Sequence, residues 1–356
     1  MTRQTRTATH QVGLDRGMNA ARAGVGPSVR AIQATAPGGP DVLELVELPE
    51  PTPGPGEVTV AVAAAGVNFI DTYKRAGIYA MPFPHVVGGE GAGTVLATGP
   101  GVTELSVGDR VAWASGASGS YATVVTVRAD TAVPVPDGID LRTAAALLLQ
   151  GMTAHYLVAS TFPVSAGQIL LVHAGAGGVG LLLTQLAVAR GACVITTVST
   201  DAKAELSRAA GATHIIRYDM FEDLSRDLPI AVRALTDGAG VHTVFDGVGR
   251  ATFDASLASL RPRGGLALFG AASGPVPPVD PQRLNAAGSV YLTRPTIGHY
   301  TATRTELLHR SGELYAAVTA GTLDVRIGAT FPLADAAEAH RALEGRATTG
   351  KVLLLP

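Results

Sequence analysis

The sequence predicts an α/β protein in which a doubly wound parallel-sheet domain is inserted between two pieces of a β-rich domain. The first observation is the segment from Gln168 to Ser199, which runs apolar strand, glycine turn, apolar helix and β-branched strand, the order of one βαβ unit. The second is the β-rich sequence that precedes it, from Val29 to about Val127. The third is an α/β rhythm that follows the unit and changes beyond Val290, so both chain ends belong to the β-rich domain.

The glycine turn of the βαβ unit has the spacing of a dinucleotide-binding site. Gly175, Gly177 and Gly180 fit the pattern G-x-G-x-x-G, with Gly178 and Val179 in the same turn. The first glycine is expected to permit the tight turn, the second to let the backbone approach a pyrophosphate, and the third to let the helix pack on the strand. A glycine-rich surface loop is the alternative, but it does not explain the strand before the turn and the helix after it.

The end of the second strand of this unit indicates which dinucleotide binds. NAD sites carry an acidic residue there, about 20 residues beyond the turn, which binds the ribose 2′-hydroxyl. This chain has Ser199 at that place and Lys203 one helical turn later. A hydroxyl and a cation favour a 2′-phosphate, so the sequence predicts NADPH. Two alternatives stay open: Asp201 could reach the ribose, and Lys203 could be a solvated helix residue.

The composition limits the classes of protein to which the chain can belong. The 356 residues allow two domains, and 47% hydrophobic against 16% charged residues can bury a large core. A net charge of −2 gives no reason to expect nucleic acid or an acidic membrane as a partner. No uninterrupted apolar stretch is long enough to span a bilayer. The single Cys193 cannot form an internal disulfide, which fits a reducing cytoplasm.

The first 28 residues have no apolar period and carry four arginines. They lack the apolar core of a secretory signal. We interpret residues 1–28 as a flexible tail or as the result of a start codon assigned too early, with Met18 as the second candidate. An organellar targeting peptide is the alternative.

The predicted domains are residues 29–150 with 294–356 for the β-rich domain, and 151–293 for the dinucleotide-binding domain. The long helix from Ile139 to Ser160, with Asp140 as its N-cap, joins them. Pro229 is expected to kink or split the helical run around it. The other predicted elements are strands at Val29–Ala34, Val42–Leu48, Glu57–Val67, Tyr121–Val127, Thr213–Tyr218, Val241–Asp246, Gly265–Gly270 and Lys351–Leu355, and helices at Ala202–Ala210, Phe221–Thr236, Thr252–Leu260, Thr303–Ala320 and Leu333–Leu343.

Several sequence words within this order resemble one known family, and together they cover about residues 29–356. The chain resembles the zinc-free quinone oxidoreductases, the ζ-crystallin-like branch of the medium-chain dehydrogenase/reductase superfamily, and within it the bacterial NADPH:quinone reductase type. The words are Ala65–Tyr73 (AGVNFIDTY), Gly88–Gly93 (GGEGAG), Val107–Val111 (VGDRV), His173–Gly180 (HAGAGGVG), Phe245–Gly249 (FDGVG), Leu292–Pro295 (LTRP) and Arg346–Gly350 (RATTG).

The resemblance implies a GroES-like catalytic domain, a Rossmann domain and reduction of a quinone by hydride or electron transfer from C4 of the nicotinamide. It also implies a homodimer through the edge of the Rossmann sheet, near Gly265–Gly270 and Ser289–Leu292. The zinc branch has a Cys in place of Asn68 and a Gly-His-Glu word in place of Gly88-Gly89-Glu90, so no zinc site is expected. Glu90 is then expected to be structural rather than catalytic.

The resemblance also implies roles for individual residues at the acceptor end. Asn68 would hydrogen-bond around the nicotinamide ribose or the substrate oxygen, and Tyr73 would contact the cofactor or the acceptor. The alternatives are a turn residue for Asn68 and a packed aromatic for Tyr73. Arg294, where the chain leaves the Rossmann domain, would line the cleft.

At the cofactor end, Tyr218 would lie against the adenine ribose phosphate and Arg346 would reach a cofactor phosphate. A strand-end tyrosine and a surface ion pair are the respective alternatives. Val248 and Phe269 follow successive strands at the carboxyl edge, where ligands collect. Thr153 fits a nicotinamide contact. The chain departs from close relatives three residues earlier, where it has a Gln in place of Lys.

Two other functions remain possible from the sequence. An NADPH-dependent enal or enone reductase of the same superfamily would share the cofactor site and differ in the acceptor cleft. An NADPH-gated binding protein without turnover is a more distant alternative. The sequence has no basic stripe or aromatic platform that would favour nucleic acid as its partner.

Overall fold

The structure is a computed structural model that describes Met1 and residues 28–356. The predicted tail and its alternative start at Met18 lie outside the described residues, apart from Met1 and Ser28. Ser28 opens the first described strand, one residue before the predicted strand start at Val29. No helix in the described ranges is long and apolar enough to cross a bilayer.

Sixteen strands and ten helices make up the described residues. The strands are β1 Ser28–Ala34, β2 Leu43–Pro49, β3 Glu57–Val67, β4 His85–Val86, β5 Glu90–Thr98, β6 Arg110–Trp113, β7 Val124–Arg128, β8 Val133–Pro134, β9 Ile169–Val172, β10 Cys193–Val198, β11 His214–Arg217, β12 Val241–Asp246, β13 Leu260–Leu268, β14 Tyr291–Thr293, β15 Ile327–Pro332 and β16 Lys351–Leu355. The helices are α1 Phe69–Arg75, α2 Leu141–Tyr156, α3 Gly178–Val188, α4 Asp201–Ala209, α5 Leu224–Ala234, α6 Phe253–Ser259, α7 Gln282–Ala286, α8 Ile297–Tyr300, α9 Arg304–Thr319 and α10 Ala336–Glu344.

The middle of the chain forms the predicted parallel sheet. Its six strands lie in the order β11-β10-β9-β12-β13-β14, and every neighbouring pair is parallel. Strand order therefore reverses between β9 and β12, and ligands bind beyond the carboxyl ends of the strands at such a point. The α/β prediction, with its Rossmann domain, is confirmed.

The β-rich domain is built from both ends of the chain, as predicted. Its larger sheet has the order β15-β16-β3-β5-β6-β8, with β7 also paired to β3, and a smaller sheet has the order β2-β1-β4. The returning strand β16 lies antiparallel to β3 and parallel to β15. The last residues of the chain therefore meet the end of β3, immediately before Asn68.

Helix α2 joins the two domains and begins at the predicted N-cap. The Asp140 carboxylate accepts hydrogen bonds from the backbone N–H groups of Arg142 and Thr143, at 2.9 and 3.0 Å. Leu147 and Leu148 are fully buried, and burying a leucine contributes about 2 kcal/mol. The predicted domain boundary at 150/151 falls inside this unbroken helix. It remains a prediction that the chain divides there.

Several local predictions differ from the structure. Helix α5 runs unbroken through Pro229, so the predicted split is wrong. Helix α1 and strands β5 and β15 were not predicted. The sequence of α1, Phe69–Arg75, has only seven residues and lies inside β-rich sequence, so it spans too few turns for a helical period to stand out.

Candidate active site

The main cleft of the described residues lies at the carboxyl edge of the parallel sheet, between the two domains. Helix α3 and the ends of β10 and β12 form one side, and the Arg346–Thr348 segment closes the phosphate end. Eleven of the fifteen predicted site residues line this cleft, and four do not. Those that do are Asn68, Gly177, Gly178, Val179, Gly180, Ser199, Lys203, Tyr218, Val248, Phe269 and Arg346.

Close approach, rather than backbone conformation, requires glycine in the turn. The left-handed residue of the turn is Ala174, with φ at 52°, so the first glycine serves the turn through its missing side chain rather than through a positive φ. A Cβ on Gly175 would lie 2.6 Å from Cβ of Thr196, and one on Gly180 would overlap the Ala174 carbonyl oxygen. Gly175 therefore lets the turn pack on β10 and does not itself line the cleft.

The N-terminus of α3 fits a phosphate group. Its N-cap is Gly177, whose missing side chain cannot cap the helix. The first backbone N–H groups of a helix have no intrahelical acceptor, and together with the helix dipole they attract an anion. On the other side of the turn, the Gly350 N–H donates to the Ala176 carbonyl oxygen at 2.9 Å. This bond ties the C-terminal segment of the chain to the turn.

The far end of the cleft carries cations and a hydroxyl. Ser199 and Lys203 line it, and the Lys203 ammonium donates to the Arg346 carbonyl oxygen at 2.7 Å. The ammonium is therefore directed across the cleft, and Lys203 is more than a solvated helix residue. The carboxylate of Asp201, which was the alternative ligand for the ribose, pairs with Arg217.

At the opposite end, Asn68 lies at the end of β3 and caps α1. It is only 4% exposed and is held by side chains from three other elements. The Asn68 Nδ2 donates to Glu90 Oε2 at 2.8 Å, and the Asn68 Oδ1 accepts from Lys351 Nζ at 2.7 Å and from Gln150 Nε2 at 3.3 Å. The Gln150 Oε1 is buried without a hydrogen-bond partner among the described residues, although Gln150 lines the cleft.

Glu90 is structural in the described residues, as predicted. It is fully buried, and its Oε1 accepts from the Leu149 backbone N–H at 2.7 Å. Its Oε2 pairs with the Lys351 ammonium. Gly89, at the position of the zinc-branch histidine, offers no side chain, and Asn68 is engaged with this ion pair. The donor set at this place therefore does not fit a zinc ion.

Thr153 does not line the cleft. Its hydroxyl donates to the Leu149 carbonyl oxygen at 2.7 Å, one turn earlier in α2, and the side chain is 7% exposed. A hydroxyl on a buried helix face commonly bonds to the carbonyl four residues before it. The Thr153 hydroxyl is therefore engaged within α2, and its contact with the nicotinamide stays a prediction.

Tyr73 and Arg294 line a second cavity, next to the main cleft. One turn of α1 separates Tyr73 from Phe69, which lines the main cleft, and the segment after β13 contributes to both cavities. The rings of Tyr73 and Tyr79 meet edge to face, with centroids 5.9 Å apart. Burial raises the pKa of Tyr73 to about 12, so its phenol is neutral at physiological pH. Apolar side chains complete this cavity: Ile78, Phe253, Leu268, Val276, Val279 and Leu292.

Sequence reasoning missed His173 as a lining residue, although it begins the HAGAGGVG word. Its Nδ1 lies 3.0 Å from the Thr197 hydroxyl and its Nε2 lies 2.9 Å from the Ser256 hydroxyl, which donates to Asp246 Oδ2 at 2.7 Å. Because the Ser256 proton points to Asp246, His173 carries its proton on Nε2. Burial lowers the pKa of His173, so the ring is neutral and its role is to join β9, β10 and α6.

A buried chain of hydrogen bonds links α1 to the rest of the β-rich domain. Sequence reasoning missed this chain as well. Arg75 donates to His340 Nδ1 at 2.9 Å and pairs with Glu344. Because a guanidinium only donates, His340 carries its proton on Nε2, facing the Tyr121 hydroxyl at 3.1 Å. Tyr121 in turn donates to Asp71 Oδ2 at 3.2 Å. Burial raises the pKa of Asp71 to about 6 and lowers that of His340 to about 3.

Two family profiles match parts of the chain. A family profile described as "Alcohol dehydrogenase GroES-like domain" matches residues 54–137, and one described as "Zinc-binding dehydrogenase" matches residues 178–310. The first covers the β-rich domain from just before β3 to just after β8. The second begins at helix α3 of the Rossmann domain and ends within α9.

Individual relatives cover nearly the whole chain. A quinone oxidoreductase of Pseudomonas aeruginosa is 44% identical over 328 residues, which is 92% of this chain and 99% of that protein. A 2-haloacrylate reductase of a Burkholderia species is 42% identical and covers 90% of this chain and 96% of that protein. A mycobacterial protein solved in complex with NADPH is 55% identical, with a TM-score of 0.89 over 92% of this chain and 100% of that one.

These matches agree with the site geometry. The likeness extends across both domains, and the side chains at the place of the zinc ligands are an amide and a glycine, as the sequence words indicated. The chain belongs to the zinc-free quinone oxidoreductase branch of the medium-chain dehydrogenase/reductase superfamily.

Proposed function

We propose that the protein is an NADPH-dependent quinone reductase that works without zinc. The observation that carries this proposal is the adjacency of two cavities. A cleft with a phosphate-binding turn ends at Asn68 and Phe69, and an aromatic cavity with Tyr73 and Arg294 begins one turn further along α1. A cofactor and a flat acceptor can therefore meet at the junction. The relatives named as quinone oxidoreductases support the same function.

The residues of the cleft fit NADPH. The N-terminus of α3 would hold the pyrophosphate, and Ser199, Lys203, Tyr218 and Arg346 would surround the 2′-phosphate. Within the described residues, the lining of the cleft contains no carboxylate that would repel it. The likeness to a mycobacterial protein solved with NADPH supports this assignment. When bound, NADPH supplies the hydride from nicotinamide C4.

The chain itself positions the acceptor and stabilises its charge. The second cavity is mainly apolar, which suits the ring of a quinone. Arg294 adds the only formal charge among its lining residues, so it would stabilise the negative charge that develops on the quinone oxygens. Tyr73 stays protonated up to a pH of about 12 and so would donate a hydrogen bond rather than a proton. Water at the cavity mouth would supply the protons.

We also propose a homodimer that pairs through β14. This strand is one of the two edges of the six-stranded sheet in the described residues, and Tyr291 on it is 62% exposed. The predicted contribution of Gly265–Gly270 to the edge is wrong, because β13 lies between β12 and β14. Light scattering should give a mass of about twice 36.2 kDa, and a monomeric mass would contradict the proposal. Each chain has a single cysteine, Cys193, which is free, so no internal disulfide stabilises the fold. A protein without disulfides suits the reducing cytoplasm, where we propose that the dimer functions.

Reduction of an activated alkene is the second candidate function. It is favoured by the 42% identity to a 2-haloacrylate reductase, which covers 90% of this chain. The cofactor site would be the same, but Arg294 would then bind the carboxylate or carbonyl of the alkene. The two functions therefore differ in the acceptor alone.

Nicotinamide absorbance distinguishes the two. Purified protein is mixed with NADPH or NADH and with benzoquinone, 2-chloroacrylate or an alkyl enone. We expect rapid NADPH oxidation with benzoquinone and little with NADH. Turnover with the alkenes alone would move the function to alkene reduction, and tight NADPH binding without any turnover would contradict both.

A further inference from the structure

A buried ion pair lies directly behind the acceptor end of the cleft. The side chain of Lys351 is 1% exposed and that of Glu90 is not exposed at all, yet neither lines the main cleft. Taking two charges out of water costs several kcal/mol for each ion, and an apolar pair of the same size is often as stable. The ion pair is therefore costly to keep unless the fold or the site uses its charge.

The ion pair fixes the orientation of the Asn68 amide. An ammonium only donates and a carboxylate only accepts. Since Lys351 Nζ lies 2.7 Å from one amide atom, that atom must be Oδ1, and the atom 2.8 Å from Glu90 Oε2 must be Nδ2. Either charge alone would still favour this orientation, but removing both would allow the amide to flip, because Gln150 can bond either atom through its own amide.

One of the two amide hydrogens of Asn68 is held weakly. The hydrogen bond to Glu90 is 2.8 Å, but the remaining acceptor is the Gly66 carbonyl oxygen at 3.4 Å, near the limit of a hydrogen bond. Asn68 lines the cleft, so a ligand oxygen there can take this second hydrogen. The ammonium on Oδ1 polarises the amide and makes that hydrogen a stronger donor.

The ion pair packs directly against the backbone of Gly66. A Cβ on Gly66 would lie 2.8 Å from Lys351 Cε and would overlap the Glu90 carboxylate. This explains the glycine in the AGVNFIDTY word. Lys351 also follows Gly350, whose N–H bonds the glycine turn, so the ammonium is anchored at the same junction as the cofactor site.

We propose that Lys351 is a positioning residue for the reduction, acting through Asn68. Its ammonium holds the Asn68 amide with Nδ2 available to an oxygen at the end of the cleft. The proposal rests on the proposed quinone reductase function and names no further reactant. Lys351 itself touches neither acceptor nor cofactor.

The test separates positioning from folding. In Lys351→Met alone, Glu90 keeps a buried charge without its partner, which costs about 3–5 kcal/mol and can prevent folding. The informative variant is therefore Glu90→Gln with Lys351→Met, which removes both charges and nearly keeps the volume. Lys74→Met, in α1 and outside the ion pair, is the control for loss of a lysine.

Three quantities are measured for the wild type and the double variant: the melting temperature, the Kd of NADPH by fluorescence and kcat with benzoquinone. We expect a melting temperature near that of the wild type, a Kd changed by less than about twofold, and a kcat lower by about tenfold. The deuterium isotope effect with NADPH labelled at C4 should increase, because the hydride step becomes slower.

A wild-type kcat in the double variant would overturn the proposal, since the amide would then work without the ammonium. Failure of the double variant to fold would also overturn it, because the ion pair would then be needed to hold the junction together. Absence of quinone turnover in the wild type itself would instead contradict the proposed function. The two failures are therefore distinguishable.

Discussion

The phosphate end of the cleft is built mainly from one continuous segment of the chain, whereas the acceptor end is built from residues far apart in sequence. At the phosphate end, one continuous βαβ segment supplies the turn, the helix N-terminus and Ser199. At the acceptor end, Asn68 is bonded by Lys351, which is 283 residues away in sequence, and by Glu90 and Gln150. The phosphate end depends on the shape of the backbone, and the acceptor end depends on the pairing of buried charges. The two ends should therefore respond to different kinds of substitution.

The largest expected effect is that of Gly180→Ala, which tests the backbone character of the phosphate end. The new Cβ would overlap the Ala174 carbonyl oxygen, so the turn must move. Strain of about 3 kcal/mol corresponds to a loss of roughly 100-fold in NADPH affinity. Fluorescence titration with NADPH measures it.

Gly312→Ala is the matched control, because no atom lies within 4 Å of its new Cβ and the residue is exposed in α9. It should increase stability by about 1 kcal/mol and leave NADPH binding unchanged. Near-normal NADPH binding by Gly180→Ala would mean that the turn tolerates movement and that the comparison between the ends is wrong.

Asp71→Asn tests buried charge beneath the acceptor end. The pKa of Asp71 is raised from 3.8 to about 6 by burial, so its contribution to stability is fully present below 3.8 and is lost as the pH rises through 6. The loss is of the order of 3 kcal/mol. The variant cannot titrate at this position. The free energy of unfolding of the wild type, relative to that of the variant, should therefore fall between about pH 4 and pH 7.

Urea unfolding at several pH values measures this difference, and Asp137→Asn at an exposed position is the control. The groups that face Asp71 are Tyr121, Lys74 and Lys351. Parallel stability curves for the wild type and Asp71→Asn would show that the carboxyl group titrates as it does in the unfolded chain.

Lys203→Ala probes the charged part of the phosphate end. We expect the Kd of NADPH to increase by about tenfold, since one partly exposed cation is lost, while the Kd of NADH stays the same. Isothermal titration with both cofactors measures the ratio. Arg208→Ala on the same helix, where the arginine pairs with Glu205, should leave the ratio unchanged. An equal loss for both cofactors would mean that Lys203 supports the cleft without recognising the 2′-phosphate.

The smallest expected effect is that of Tyr73→Phe at the acceptor end. Because the pKa of this phenol is about 12, the group does not titrate in the working range and the variant should keep the pH profile of the wild type. We expect kcat with benzoquinone to change by less than about threefold, with an increase in KM from the lost hydrogen bond. A basic limb of the profile that disappears in the variant would identify Tyr73 as a proton donor.

The two ends also differed in how well they could be predicted. Ser199, Lys203 and the turn glycines were found because a strand, a turn and a helix follow each other in sequence, and their spacing fixes their relative positions. Asn68 and Tyr73 came from the family resemblance alone. In the structure, Asn68 lines the main cleft and Tyr73 lines the adjoining cavity, because both lie at α1 but on different turns. Helix α1 was not predicted, since the sequence around it is β-rich.

Other features also depend on packing rather than on spacing. The Thr153 hydroxyl bonds within α2, whose rotation is set by packing on both domains, and its contact with the nicotinamide stays a prediction. The chain from Asp71 through Tyr121 and His340 to Arg75 joins three distant segments, and no spacing pattern contains it.

The sequence by itself determined the α/β class, the inserted Rossmann domain, the glycine turn and the cationic phosphate end. These depend on periodicity, turn chemistry and residues close together in the chain, which local interactions govern. Only the tertiary structure decided that Lys351 reaches Asn68 and Glu90, that Asp201 turns to Arg217, and that Ala174 takes the left-handed position. Burial and charge pairing between distant segments set these, and a buried charge selects its partner in space rather than in sequence.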